Sequence, residues 1–170
     1  MLKYTIQPGQ HASRPLLLRW KWKPKRYFFS VRFLQAAYDH GNADQMDWNK
    51  LLGVSFHLFT NHENSFMLGW RWNVDTQLFE INAYQHVDGS TKYTDTLFTV
   101  PHDSWLQGVA NIDYRRDQVR LSVKVAHGVA VEHVFQFSRL RKLTREINAW
   151  FGGNLPAPYY IVIEKETKIK

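Results

Sequence analysis

The sequence predicts an all-β protein, an antiparallel two-sheet sandwich or jelly roll formed by residues 1–170 as one domain. Three observations predict it. Short runs of alternating apolar and polar residues recur along the chain, as half-buried strands require. Turn signals separate those runs: Pro8-Gly9, Lys23-Pro24, Asp88-Gly89, Pro101, Arg116-Asp117 and His127-Gly128. No helix–strand alternation of the kind that builds parallel sheets is present. Aromatic residues make up 15% of the chain, which suits a pleated surface better than a helical one.

Taken in order, strands are expected near 2–6, 15–22, 26–34, 53–59, 65–73, 77–86, 91–100, 106–114, 117–125, 129–137 and 159–165. Two stretches interrupt the period-2 pattern. In 38–53, YDHGNADQMDWNKLLG, Asp47 is placed to cap a short helix Trp48 to Leu52 that Gly53 ends. In 138–153, Ser138 can cap a helix with Leu140, Leu143, Ile147 and Trp150 on one side. Basic residues near its start would oppose the helix dipole, so an extended connection competes with it.

Composition narrows the function classes. With no cysteine, disulfides, thiolate metal sites and cysteine nucleophiles are excluded. The N-terminal MLKYTIQPGQHASRP has no apolar leader region, and no run approaches a membrane span, so a cytoplasmic protein without a membrane partner is expected. Net charge is +7, concentrated in residues 1–38 and in Arg139, Arg141, Lys142 and Arg145. Solvated strand faces and protected sheet edges account for such charge more simply than a polyanion partner. Nucleic acid is disfavoured, because no motif is present to place bases.

The stretch NSFMLGWRWN, 64–73, opens the most informative region. Phe66, Leu68, Trp70 and Trp72 alternate with Ser65, Met67, Gly69 and Arg71. Asp88-Gly89 reads as a two-residue type I′ turn, placing Tyr84 opposite Tyr93, Asn82 opposite Asp95 and Glu80 opposite Leu97. A loop over Asn73 to Thr76 would pair Trp72 with Gln77, so that Trp70 faces Phe79, Arg71 lies by Leu78 and Gly69 lies by Glu80. Phe66, Leu68, Trp70, Phe79, Ile81 and Phe98 then form a core face. The other face gathers Arg71, Glu80, Asn82, Tyr84, Tyr93 and Asp95, with Gly69 leaving a gap. Planar polar groups beside rings are what a hydroxyl-rich ligand such as a carbohydrate needs. The plainer alternative is a solvated sheet face with an Arg71–Glu80 ion pair.

Other chemistry is weakly signalled. The eight histidines show no metal-ligand spacing, so no metal or other cofactor is expected. Glu80 and Asp95 are the one carboxylate pair sharing a face, which is thin support for a polysaccharide-acting enzyme. No P-loop, dinucleotide-binding glycine pattern or nucleophile elbow occurs. WFGGNLPAP, 150–158, is a stiff loop that either delivers the last strand or presents Asn154 at a rim.

Three blocks, GNADQMDWNKLLGVS, NSFMLGWRWN…FEINAYQHVDG and WFGGNLPAP, together resemble a loosely defined group of small bacterial and phage-type proteins. That group shows DQxDxNKLxGxS, NSxxxGWR, ExxAYxxxxG and YFGGNxxAP blocks, and the likeness spans roughly 38 to 165. It implies a concanavalin-like or jelly-roll sandwich and, having no activity attached to it, no mechanism. This chain departs from it at Trp150, where Tyr is usual, and at Tyr159, where His often follows. The resemblance favours the extended form of 138–150. The leading expectation is a non-catalytic module binding carbohydrate or another polar ligand. A self-associating assembly protein of phage type is the alternative.

Overall fold

The computed structural model describes residues 1–16, 18–126 and 128–170. Leu17, within the expected strand 15–22, and His127, half of the expected His127-Gly128 turn, lie outside the described residues. Strands are numbered in chain order. One sheet runs β1 (Leu2–Ile6), β13 (Ile161–Ile169), β3 (Arg26–Gln35), β9 (Leu106–Asp113), β10 (Gln118–Val125) and β11 (Val131–Gln136). The other runs β2 (Trp20–Trp22), β12 (Leu143–Ile147), β4 (Asn49–Ser55), β5 (Asn64–Asn73), β6 (Leu78–Val87) and β7 (Ser90–Tyr93), with β8 (Phe98–Val100) also beside β6. The sheet pairings are antiparallel, so the expected all-β sandwich is the observed fold.

The core lies where the sheets face one another. Phe33 of β3 stacks on Phe79 of β6 with centroids 4.0 Å apart and sits 5.1 Å from Trp70 of β5. Tyr27 meets Phe66 edge-on. Trp70 is fully buried, so this tryptophan packs the core. Each such ring pair adds roughly 0.5–1.5 kcal/mol beyond the area it buries.

Both helix expectations give way to strands. Asn42, not Asp47, caps a helical segment, and the segment is a single 3₁₀ turn, Ala43–Met46. Trp48 to Leu52 is not helical; Asn49 onward is β4. A register shift between Lys50 and Leu52 turns both Leu51 and Leu52 into the core, which breaks the period of two that would have marked a strand. Residues 143–147 form β12, held by β2 on one side and β4 on the other. Pairing with distant strands overrides the local helical spacing, and Trp150 ends up exposed while Leu140 and Ile147 are buried.

The β5–β6 register differs from expectation by two residues. Asn73 pairs Leu78, Trp72 pairs Phe79, Arg71 pairs Glu80 and Gly69 pairs Asn82. The loop is Val74–Gln77, because the Asn73 side chain accepts from the Asp75 and Thr76 amides and Gln77 takes φ +53°. A shift of two leaves every side chain on its expected face. The Asp88-Gly89 turn has positive φ at both residues and pairs Tyr84 with Tyr93, as a type I′ turn should. Beyond Tyr93 the expected strand 91–100 breaks. Residues 94–97 leave the ladder and Glu80 pairs Thr99, so Asn82 is not opposite Asp95 and Glu80 is not opposite Leu97.

Candidate functional site

Strand β5 turns Ser65, Met67, Gly69 and Arg71 away from the core. β6 turns Glu80, Asn82, Tyr84 and His86 the same way, each opposite one of them. This face is not an ordinary solvated one: Ser65, Met67, Asn82 and His86 are all buried. The segment after β4 covers part of it. The Ser65 hydroxyl donates to the Asn61 carbonyl at 2.6 Å, and the His62 ring lies 4.7 Å from that of His86.

Toward the other end the face opens into a groove of about 560 Å³. Met46, Asp47 and Trp48 line one wall; Arg71 and Tyr84 come from the strands; Tyr93 to Thr96 form the opposite wall, and Gly153 closes it. Of the six residues singled out from sequence, Arg71, Tyr84, Tyr93 and Asp95 line this groove. Glu80 and Asn82 do not.

Glu80 instead builds the wall from beneath. Arg71 Nε donates to its Oε2 at 2.6 Å, Thr96 Oγ1 to the same oxygen at 3.1 Å, and Asn73 Nδ2 to Oε1 at 2.8 Å. Burial opposes ionisation of this carboxyl, but the Asn73, Arg71 and Thr96 contacts outweigh it and hold the pKa below its ordinary value. Arg71 also donates to the Met46 carbonyl at 3.0 Å and stands over the Trp48 ring at 4.3 Å. The guanidinium thus ties β5, β6 and the 3₁₀ turn into one wall. Asn82 fills the space over Gly69, where a Cβ would lie 2.2 Å from its Oδ1, and it donates to the Thr94 carbonyl. The gap expected beside Glu80 is therefore occupied by Asn82.

Open to the groove are rings and carboxylates. Tyr84 and Tyr93 stack at 6.0 Å and 15°. Burial raises the Tyr84 phenol above its ordinary pKa, so it stays a neutral donor. Among the described residues neither Asp47 nor Asp95 forms a salt bridge. Glu80 is bonded to three donors, and Asp95 lies in the segment between β7 and β8 rather than opposite it in a ladder. No metal-holding cluster of His, Asp and Glu occurs among the described residues, and no helix there is long and apolar enough to cross a membrane.

Sequence reasoning missed Met46, Asp47, Trp48, Thr94, Thr96 and Gly153. For Met46, Asp47, Trp48 and Gly153 the signal was the resembling blocks, which converge here, while Thr94 and Thr96 lie outside those blocks. Asn49 joins two of them directly, accepting from the Gly152 amide at 2.7 Å while Leu155 N donates to Asp44.

Fold and face together define a β-sandwich with an open polar, aromatic-lined groove on one sheet. No family profile and no curated protein matches the chain. Among solved structures it superposes on an alginate lyase from Klebsiella pneumoniae at TM-score 0.62 and 7% identity, covering 86% of this chain and 60% of the lyase. It superposes on a functionally unknown protein from Saccharomyces cerevisiae at TM-score 0.55 and 8% identity, covering 99% and 88%. The chain thus spans about 60% of the lyase's length. At these identities the likeness is one of fold.

Proposed function

We propose that this chain is a non-catalytic binding module whose groove holds a hydroxyl-rich ligand, a saccharide. The observation that carries the reading is the groove itself: the exposed Tyr93 ring stacked on Tyr84, beside the carboxylates of Asp47 and Asp95, on a wall pre-set by Arg71, Glu80 and Trp48. Rings take the apolar faces of a sugar and carboxylates accept from its hydroxyls. The volume falls within the usual range for ligand sites, roughly 300–1,000 Å³. A structural neighbour that acts on alginate supports the ligand class and nothing finer. Titration calorimetry against a saccharide panel tests the reading. Binding should fall about tenfold or more in Tyr84→Ala and Trp48→Ala with the fold retained. No binding to any saccharide, or wild-type affinity in both variants, overturns it.

A second reading, self-association through a sheet edge, is favoured by β2, whose Trp20 and Trp22 are 44% and 65% exposed on an edge strand. Light scattering decides it: a monomer at high concentration removes this reading.

A further inference from the structure

The outward face of the same sheet carries a second cavity, of about 240 Å³, at its β4–β12 end. Lys50, Arg145, Ser13, Asn61 and Trp150 line it. Register places both cations outward. Lys50 stands in one row with Gly69 and Asn82, and Arg145 in one row with Ser55, Ser65 and His86. The Lys50 backbone is about 4.8 Å from the strand that carries Arg71, the spacing of neighbouring strands.

The charge in this cavity is unbalanced. Among the described residues, no carboxylate lies within salt-bridge distance of Lys50 or Arg145. Glu146 lines the cavity in sequence, but its side chain turns to the inner face, where it accepts from Tyr27 and Thr167 and pairs with Lys165 and Arg19. Arg145 donates to the Asn61 side chain at 2.7 Å, yet its Nε is buried without a partner. Ser13 is 2% exposed and its hydroxyl has no partner either. Burial pushes both Lys50 and Arg145 below their ordinary pKa values, and a counter-anion would reverse that cost. Beside them Trp150, 43% exposed, stacks on His11 at 5.6 Å and 14° and offers a ring at the rim.

We infer that this cavity receives the carboxylate or sulfate group of an acidic saccharide, with Lys50 and Arg145 as counter-charges, Ser13 and Arg145 Nε as donors, and Trp150 under a sugar ring. The cavity is smaller than a whole-ligand site, roughly 300 Å³ and up, but it suits one oxyanion. Guanidinium and ammonium donors to an oxyanion make short, strong hydrogen bonds. The inference deepens the saccharide reading of the neighbouring groove and rests on it only for the sugar portion of the ligand.

The test is calorimetry with tetragalacturonate, its methyl-esterified neutral form, and sodium sulfate. The proteins are the wild type, Lys50→Met, Arg145→Gln, Lys50→Arg and Tyr84→Ala, each checked by thermal melt. The acidic oligomer should bind the wild type at least about tenfold more tightly than the ester, since a hydrogen bond to a charged group is worth roughly 1.5–3 kcal/mol. Lys50→Met and Arg145→Gln should each lose that preference, Lys50→Arg should keep it, and added NaCl should weaken it. Equal binding of acid and ester, or an undiminished preference in both variants, overturns the inference. So does binding of sulfate alone as tight as that of the oligomer, which would make a free oxyanion the occupant. The two sites fail separately. Ester binding that Tyr84→Ala abolishes, without acid preference, leaves the groove and removes this pocket. Acid preference with the affinities for acid and ester both unchanged in Tyr84→Ala leaves the pocket and removes the groove.

Discussion

The two faces of β5 are both buried, and by opposite means. Inward, Phe66, Leu68 and Trp70 meet the rings of the other sheet. Outward, Ser65 meets the Asn61 carbonyl, Gly69 the Asn82 amide, and the His62 ring lies beside that of His86. The inner face is held by area removed from water, which tolerates any ring of similar volume. The outer face is held by hydrogen bonds that fix direction, and a polar group there that loses its partner is costly. Arg71 on the same face is aimed in that way, by Glu80 and the Met46 carbonyl.

The contrast can be broken hardest from the inside. Trp70→Ala should cost about 3–5 kcal/mol in urea unfolding, through lost transfer energy and the cavity left against Phe33 and Phe79. If the variant is studied below its melting point, saccharide preference should be unchanged.

The outer face should answer to pH where the inner cannot. Burial first, then the Lys50 and His62 charges, push His86 down to about 4 from its ordinary 6.5. Because the folded value is the lower one, the unfolded chain binds the proton first as pH falls. Stability therefore rises with pH across the window from about 4 to 6.5 and is progressively lost on acidification. The loss should amount to about 2–3 kcal/mol between pH 7 and pH 4, and His86→Gln should flatten that part of the curve.

A methyl group sharpens the comparison further. Gly69→Ala puts a Cβ where Asn82 Oδ1 now lies and should cost about 1–3 kcal/mol by overpacking. Gly69→Ala with Asn82→Ala should cost less than the sum of the two, a coupling measurable by a double-mutant cycle. Glu80→Gln should be milder, about 1 kcal/mol, since the amide keeps an acceptor for one donor but loses the charge that holds Arg71. Its larger effect should be on saccharide affinity, because the Trp48 wall loosens. Smallest of all for stability is Tyr93→Ala, within about 0.5 kcal/mol, since the side chain is exposed.

How far these features were legible depends on the range of the interaction. The β6–β7 turn was readable because positive φ at Asp88 and Gly89 is a local demand of two adjacent residues. The β5–β6 turn was misread by two because Asn73 closes its own turn with a side-chain bond and Gln77 accepts an uncommon backbone angle. Four of the six residues proposed from alternation line the groove because a period of two survives an even slip. Asn82 was misplaced because nothing in the pattern says that a polar residue facing outward will be covered. Trp48 was placed on a helix because the bulge at Lys50–Leu52 hides a strand from any periodic reading.

The sequence by itself determined the all-β class, the direction in which each side chain of β5 and β6 points, and the core role of Trp70. These follow from backbone pleat and apolar spacing, which are properties of neighbours along the chain. Only the tertiary structure decided that residues 46–48, 93–96 and 153 share one groove, that Glu80 supports Arg71 rather than facing the groove, and that Lys50 and Arg145 share a cavity where, among the described residues, neither has a carboxylate at salt-bridge distance. Those are pairings across tens of residues, fixed when the strands choose partners and not before.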